Sequence, residues 1–251
     1  MKAMVLAGGL GTRLRPLTSD RPKALVEING RTMLEITLAR LRTFGVREVI
    51  VNAHHFADAL TGYLEANKNF GMHVEISRED LLLDTGGGLK KASEFFLRDS
   101  SGEPFLLHNV DVLSTIDLGE MVREHKKHGA LATLAVQDRT GSRHLFFDVN
   151  GELCGRRISK GDAEAVTEMA RPAENPQALA FCGIHVISPR MLTLMREEGV
   201  FSIIDVYLRL AAAGEKIRAF RADEYYWRDL GRPEHLAQAG ADVGSGVLSL
   251  E

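Results

Sequence analysis

Gly8, Gly9 and Gly11, followed by Thr12, Arg13 and Arg15 and then by Pro22 and Lys23, crowd the N-terminal part of the chain. They come directly after a short apolar run, Met4, Val5, Leu6 and Ala7. A buried strand that empties into a glycine-rich loop sets backbone N–H groups at the carboxyl edge of a sheet. Glycine lets that backbone approach a ligand closely, and successive N–H groups form an anion-binding nest. Arg13 and Lys23 add fixed positive charge. The simplest object that needs all of this is a polyphosphate. Two familiar phosphate loops do not fit. No Gly-Lys-Ser/Thr follows, as a Walker loop requires. Leu14 stands where the third glycine of a dinucleotide fingerprint belongs.

Asp111 is the second residue with chemical promise. It follows an apolar run over 105–108, in Asn109-Val110-Asp111. A carboxylate at the end of a buried strand points into the crevice where open α/β sheets bind ligands. Asn109-Val110-Asp111 also invites comparison with the metal-holding Asp-x-Asp of glycosyltransferases. The first position is Asn, and the N-terminal loop is far richer in cations than that chemistry needs.

These residues require elements to position them. Apolar spacing predicts helices over 32–44, 56–64, 89–96, 118–128, 189–196, 203–213 and 233–241. Short apolar runs predict strands over 48–52, 74–76, 105–108, 131–136, 179–187 and 217–220. The stretch 79–88, with Gly86, Gly87 and Gly88, reads as a loop. Strand and helix alternating in this rhythm argue an α/β fold: a Rossmann-like, doubly wound, mainly parallel sheet with helices on both faces. Between 139 and 176 charged, β-like pieces meet at Asn150-Gly151, a hairpin signal. This is expected to be a small β-rich excursion, with Arg156, Arg157 and Lys160 on its solvated edge. The tail 242–251 is expected to fray.

The run GGLGTRLRPLT, with RPKALVEING after it, resembles the signature of the sugar-1-phosphate nucleotidyltransferases, and keeps every position of that pattern. The resemblance extends to Trp227-Arg228-Asp229. It implies a single nucleotidyltransferase domain over 1–251 with a GT-A-like fold. Residues 1–136 would mainly bind nucleotide and 137–251 mainly the sugar phosphate. The chain stops too early for the C-terminal left-handed β-helix of many relatives. The implied reaction joins a nucleoside triphosphate to a sugar 1-phosphate and releases pyrophosphate, with Mg²⁺ as cofactor. No general base is needed, because the acceptor phosphate already carries an anionic oxygen. Positioning and charge stabilisation do most of the catalysis.

Residue by residue, the resemblance implies that Arg13 faces the leaving pyrophosphate and that Lys23 sits between the α-phosphate and the acceptor phosphate. Asp111 and Asp229 would hold the metal, so Arg13, Lys23 and Asp111 are the expected catalytic residues. Leu6, Ala7, Gly8, Gly9, Gly11 and Thr12 would bind the nucleotide with them. Thr85 and Gly86 resemble the loop against which the base packs, and Glu79 or Asp80 lies where relatives read the base. An acceptor there suits uracil or guanine better than cytosine, so UTP or GTP is expected. Asn109 and Gly183 (in Phe181-Cys182-Gly183-Ile184-His185) would line the sugar-phosphate side. Arg171, in Ala170-Arg171-Pro172, stands where many relatives have the lysine of Glu-Lys-Pro. His54 and His55 lack metal-ligand company and are expected to be structural, and Trp227 is expected in the core beside Asp229.

Composition sets outer limits. The 251 residues carry a net charge of −3, so no global field argues for nucleic acid or an anionic membrane. Cys154 and Cys182, the two cysteines, do not make a disulfide framework and fit a reducing cytoplasm. No stretch approaches a membrane span. A cytoplasmic monomer or homodimer supplying cell-wall or surface-glycan precursors is expected. Two alternatives remain at this point: a phosphocholine-type cytidylyltransferase and a non-catalytic, nucleotide-sugar-binding regulatory subunit.

Overall fold

The computed structural model describes residues 1–98, 102–159 and 165–249, so Lys160 and the last two residues of the tail lie outside them. The first apolar run forms β1 (Lys2–Leu6). A two-residue hairpin, β2 (Glu27–Ile28) and β3 (Arg31–Thr32), leads into α1 (Met33–Thr43). Thr32 caps that helix by accepting from the Glu35 N–H at 3.0 Å, the expected use of a Thr just before a helix. β4 (Glu48–Ala53), α2 (Ala57–Ala66) and β5 (His73–Arg78) continue the alternation. Then come α3 (Asp84–Lys91), α4 (Ser93–Leu97), β6 (Phe105–Asn109), β7 (Val112–Ser114), α5 (Leu118–His128) and β8 (Ala132–Gln137). β9 (Arg143–Phe147), β10 (Leu153–Ile158) and β11 (Val166–Met169) are antiparallel neighbours. The chain closes with β12 (Gln177–Ile187), α6 (Arg190–Leu194), α7 (Ile203–Ala212), β13 (Ile217–Arg221), β14 (Trp227–Asp229) and α8 (Pro233–Gly244).

The main sheet runs β11-β10-β9-β12-β6-β1-β4-β5, with β8 on β12 and β13 on β8. It is parallel from β6 through β1 and β4 to β5, and mixed around the long strand β12. Side chains alternate between faces along a strand, and the core obeys that rule. Ala3 and Val5 pack with α1, α2 and α8; Met4 and Leu6 pack with α3, α4, α6 and α7. The centre of the sheet is therefore covered on both sides, which is why β1, β4, β6 and β8 are apolar at most positions.

One expectation is corrected: the expected loop 79–88 becomes helix at Asp84, which takes a φ of 60°. The β-rich excursion extends the main sheet, with β9 pairing directly with β12. Within the described part of the tail, α8 continues to Gly244 and Leu248 is buried. No helix among the described residues is long and apolar enough to cross a membrane.

Candidate active site

Leu6 ends β1 and lies in register with Asn52 of β4 and Asn109 of β6. Three strands thus open at one level, the place where parallel sheets take ligands. Asn52 is buried and works in two directions. Its Oδ1 accepts the N–H of Ala7 at 2.7 Å and of Gly8 at 3.2 Å. Its Nδ2 donates to Glu79 Oε1 at 2.8 Å, and Glu79 Oε2 accepts the Leu83 N–H at 3.1 Å. The root of the glycine loop is therefore clamped from beneath by a buried polar bracket. The amides of Ala7 and Gly8 are spent on Asn52, which fixes where the rest of the loop points. Glu79 is likewise engaged in this bracket, while Asp80 is exposed at its edge. Sequence reasoning missed Asn52; its one signal is a polar side chain ending the apolar run Val49-Ile50-Val51.

Past the bracket the loop turns through Gly11, whose φ of 62° lies where glycine is favoured. The Thr18 hydroxyl donates to the Gly11 carbonyl at 2.9 Å and closes the loop. A short 3-10 turn over Thr12–Leu14 buries Leu14 and leaves Thr12 and Arg13 exposed. Lys23 opens a second such turn just after Pro22. Its Nζ lies 2.8 Å from Asp111 Oδ2, with both side chains almost buried. Leu6, Gly9, Lys23, Asn52, Asn109 and Asp111 line a cleft of 460 Å³, with Thr85 on the opposite wall.

Asp229 arrives from the far end of the chain. β14 pairs antiparallel with β7, with Asp229 opposite Val112, and the Leu230 N–H donates to the Asp111 carbonyl at 2.8 Å. Trp227 anchors this hairpin: its indole donates to the Cys182 carbonyl at 2.7 Å, and the Arg139 guanidinium stacks 3.8 Å from its ring centre. Arg13 reaches the same corner. A Cβ on Gly231 would lie 2.8 Å from Arg13 Nη2 and 2.9 Å from Asp229 Oδ1. Glycine at 231 is what lets them approach. Arg13 makes no ion pair among the described residues, whereas Arg21 spends its charge on Asp20.

The carboxylates of Asp111 and Asp229 are hard oxygen donors; Asp111 Oδ2 faces Lys23 Nζ and Asp229 Oδ1 accepts the Gly231 N–H. Among the described residues no three His, Cys, Asp or Glu side chains are grouped to hold a metal. Two carboxylates fit Mg²⁺, which binds through one or two carboxylates and fills its shell with phosphate and water oxygens.

The strands beyond Asn109 build a further hollow. A second cleft of 490 Å³ shares Asp84, Thr85 and Asn109 with the first. Its far wall is Arg143, His144 and Arg157, with Phe181 and His185 on β12. Arg171 lines neither cleft. Its Nη2 donates to Asp148 Oδ2 at 2.7 Å and its Nε to the Leu153 carbonyl at 3.1 Å, stapling the β9–β10 hairpin. Burial raises the Asp148 carboxyl, but the Arg171 hydrogen bond and two backbone amides outweigh it and hold it below its ordinary value. Gly183 is buried with a φ of 74°, and a Cβ there would lie 2.9 Å from Asn109 Nδ2. It makes room for Asn109. Arg156, on the expected solvated edge, pairs with Glu168 and Asp205.

The triple glycine is packed as helix. Gly86, Gly87 and Gly88 are buried, and a Cβ on Gly86 would lie 2.5 Å from the Phe201 ring. Thr85 remains at the cleft, its hydroxyl accepting the Ile203 N–H at 3.0 Å. His54 is structural as expected, its Nδ1 2.8 Å from the Glu79 carbonyl. Beneath the seam of the two clefts, burial lowers His108 to about 4 and His185 to about 3. His185 Nδ1 lies 2.8 Å from the Tyr207 hydroxyl. Both cysteines are free and buried, and burial pushes Cys182 up to about 12, so neither is a nucleophile.

The family model described as nucleotidyl transferase matches residues 2–246. The N-acetylmuramate alpha-1-phosphate uridylyltransferase of Caulobacter vibrioides is 32% identical over 249 residues, covering 95% of each chain. Mannose-1-phosphate guanylyltransferase 1 of Arabidopsis thaliana is 40% identical over 237 residues, which cover 93% of this chain and 62% of the relative. Among solved structures, a UDP-glucose pyrophosphorylase from Acinetobacter baumanii superposes with a TM-score of 0.79 at 18% identity, covering 99% of this chain and 95% of that one. HddC from Yersinia pseudotuberculosis, complexed with GMP-PN, gives a TM-score of 0.74 at 21% identity over 96% of this chain and 98% of that one. These superpositions identify the fold.

Proposed function

The chain belongs to the nucleotidyl transferase family, and from that premise we propose that it is a Mg²⁺-dependent sugar-1-phosphate nucleotidyltransferase using UTP or GTP. The observation that carries this reading is the corner where Lys23 Nζ lies 2.8 Å from Asp111 Oδ2, with Asp229 and Arg13 converging on Gly231. An oxygen of the acceptor phosphate attacks the α-phosphorus in line. The new O–P bond forms as the bond to the β-phosphate oxygen breaks, and pyrophosphate leaves with the electron pair.

Each residue has a part in that displacement. Lys23 is held at the cleft wall by Asp111, so its ammonium is already oriented before substrate arrives. It holds the acceptor phosphate and the α-phosphate together against their repulsion. Arg13, free of ion pairs, presents its donor fork to the β- and γ-phosphates. Gly8, Gly9, Gly11 and Thr12 cradle the phosphates, with Leu6 and Ala7 as their floor. Thr85 and the start of α3, with Asp80 nearby, flank the base, and Asn109 flanks the acceptor. Asp111 and Asp229 would hold Mg²⁺, which when bound neutralises triphosphate charge. Residues 1–136 serve mainly the nucleotide and 137–251 mainly the acceptor.

A uridylyltransferase and a guanylyltransferase among the relatives support the choice of UTP or GTP. All four functional side chains, Arg13, Lys23, Asp111 and Asp229, favour catalysis over a regulatory role. The unpaired buried cysteines support a cytoplasmic setting, and cell-wall or surface-glycan supply would follow from the product. The test is pyrophosphate release with Mg²⁺, crossing UTP, GTP, dTTP, CTP and ATP with several sugar 1-phosphates. Turnover with one pair establishes the reaction and names its substrates. Silence across the matrix, with nucleotide binding retained, would sink it.

A further inference from the structure

The wall of the second cleft carries two buried polar atoms without partners, Arg157 Nε and His144 Nδ1. Their residues sit directly opposite each other in the β9–β10 register. The Arg157 guanidinium makes no ion pair among the described residues, whereas its neighbour Arg156 is neutralised by Glu168 and Asp205. His144 Nε2 lies 3.2 Å from the Arg139 carbonyl. A carbonyl only accepts, so Nε2 carries the hydrogen and Nδ1 is left as a bare acceptor in the neutral ring. A buried donor or acceptor left unmade is costly, and native proteins rarely keep one without a use. Both residues line one cleft that joins the first cleft through Thr85 and Asn109.

We propose that Arg157 and His144 form the acceptor-recognition pair: Arg157 holds an oxyanion of the acceptor sugar, and His144 Nδ1 accepts one of its hydroxyl hydrogens. This rests on the transferase reading above and assigns to Arg157 the task that Arg171 is too occupied to perform. Two oxyanions fit, the 1-phosphate itself or a carboxylate elsewhere on the sugar. The requirement for a hydroxyl beside an anion points to a sugar acid or sugar phosphate, in contrast to a zwitterion such as phosphocholine.

The test is calorimetric and independent of turnover. N-acetylmuramate 1-phosphate and N-acetylglucosamine 1-phosphate, which differ by a lactyl carboxylate, are titrated into the full chain holding Mg²⁺ and an α,β-imido nucleoside triphosphate. Arg157→Gln is expected to weaken acceptor binding about 10- to 100-fold, the range for losing a charge-assisted contact. Arg157→Lys should restore part of it, and His144→Phe should weaken binding about 5-fold with little salt dependence. Nucleotide affinity, unchanged within about twofold, reports an intact fold. Equal loss on both sugars identifies the 1-phosphate as the anion held; loss confined to the muramate identifies the carboxylate. Unchanged acceptor affinity in Arg157→Gln, or no binding of either sugar to the unmodified chain, overturns the proposal. Binding that behaves as expected without any pyrophosphate release leaves the anion site standing and removes the transferase reading instead.

Discussion

The two clefts that meet at Asn109 are built by different means. The proposed nucleotide end is built around a backbone loop. That loop follows a parallel strand, and its root is fixed by one buried amide, Asn52, braced on Glu79. The proposed acceptor end presents side chains, Arg143, His144 and Arg157, on antiparallel strands that extend the sheet edge. A triphosphate is common to many substrates, and amides recognise it regardless of what is attached. An acceptor must be told apart from its neighbours, and exchangeable side chains on a hairpin do that without disturbing the loop. The contrast predicts that damage at the first end removes chemistry or fold, while damage at the second changes affinity.

The largest effect is expected at Arg13. Arg13→Ala should lower kcat about 10²- to 10³-fold, as for loss of a preorganised donor to developing charge, and single-turnover kinetics would show it. A variant with near-normal turnover would take the leaving-group role from Arg13. Asn52→Leu strikes the bracket. It strands the Ala7 and Gly8 amides and the Glu79 carboxylate, so a loss of about 2–4 kcal/mol in unfolding free energy is expected. Nucleotide KM should rise while acceptor KM holds; a matched rise in both would dissolve the distinction between the two ends.

Gly86→Ala separates packing from base binding. The new Cβ meets the Phe201 ring and carbonyl, so roughly 1–3 kcal/mol of stability should be lost to overpacking. Urea unfolding checks it, and an unaffected midpoint would return Gly86 to the ligand. Acid should weaken the seam between the ends. His108 and His185 have folded pKa values below the ordinary value near 6.5. Their contribution is full above about pH 6.5 and is lost as pH falls toward 4, at about 1 kcal/mol per histidine per pH unit. His185→Asn should flatten that slope, and a slope left as steep would remove His185 from the account. The smallest effect belongs to Arg171→Gln. About 1–2 kcal/mol of hairpin stability should go with its bond to Asp148, with turnover kept within about threefold. A large rise in acceptor KM would show that Arg171 does reach substrate.

How much of this was legible varies by residue, for physical reasons. The strand before Gly8 and the cations after it were legible because they are local: an apolar run and a glycine loop need only neighbours in sequence. Helix α1 was legible from its apolar spacing. The triple glycine was not. Gly86, Gly87 and Gly88 carry low helix propensity, and only contact with Phe201, with Gly199 and with the Asn52–Glu79 bracket, respectively, calls for small residues inside this helix. The sequence favoured Arg171 over Arg157 for the acceptor, through its likeness to Glu-Lys-Pro, because nothing local shows which arginine has a carboxylate partner. The hairpin register decides that one meets Asp148 and the other meets the cleft.

By itself the sequence determined that a glycine-rich, cationic loop ends the first strand of a doubly wound α/β sheet, and that Asp111 lies just past the end of another such strand. Periodicity and glycine geometry are short-range, so one chain suffices to show them. Only the tertiary structure decided that Asp229 returns beside Asp111, because the β7–β14 pairing joins segments that no local rule connects. Only it decided that Asn52 is spent on the loop and that Arg157 has no ion-pair partner among the described residues. Whether a buried polar group has a partner depends on what the rest of the fold brings within hydrogen-bond reach.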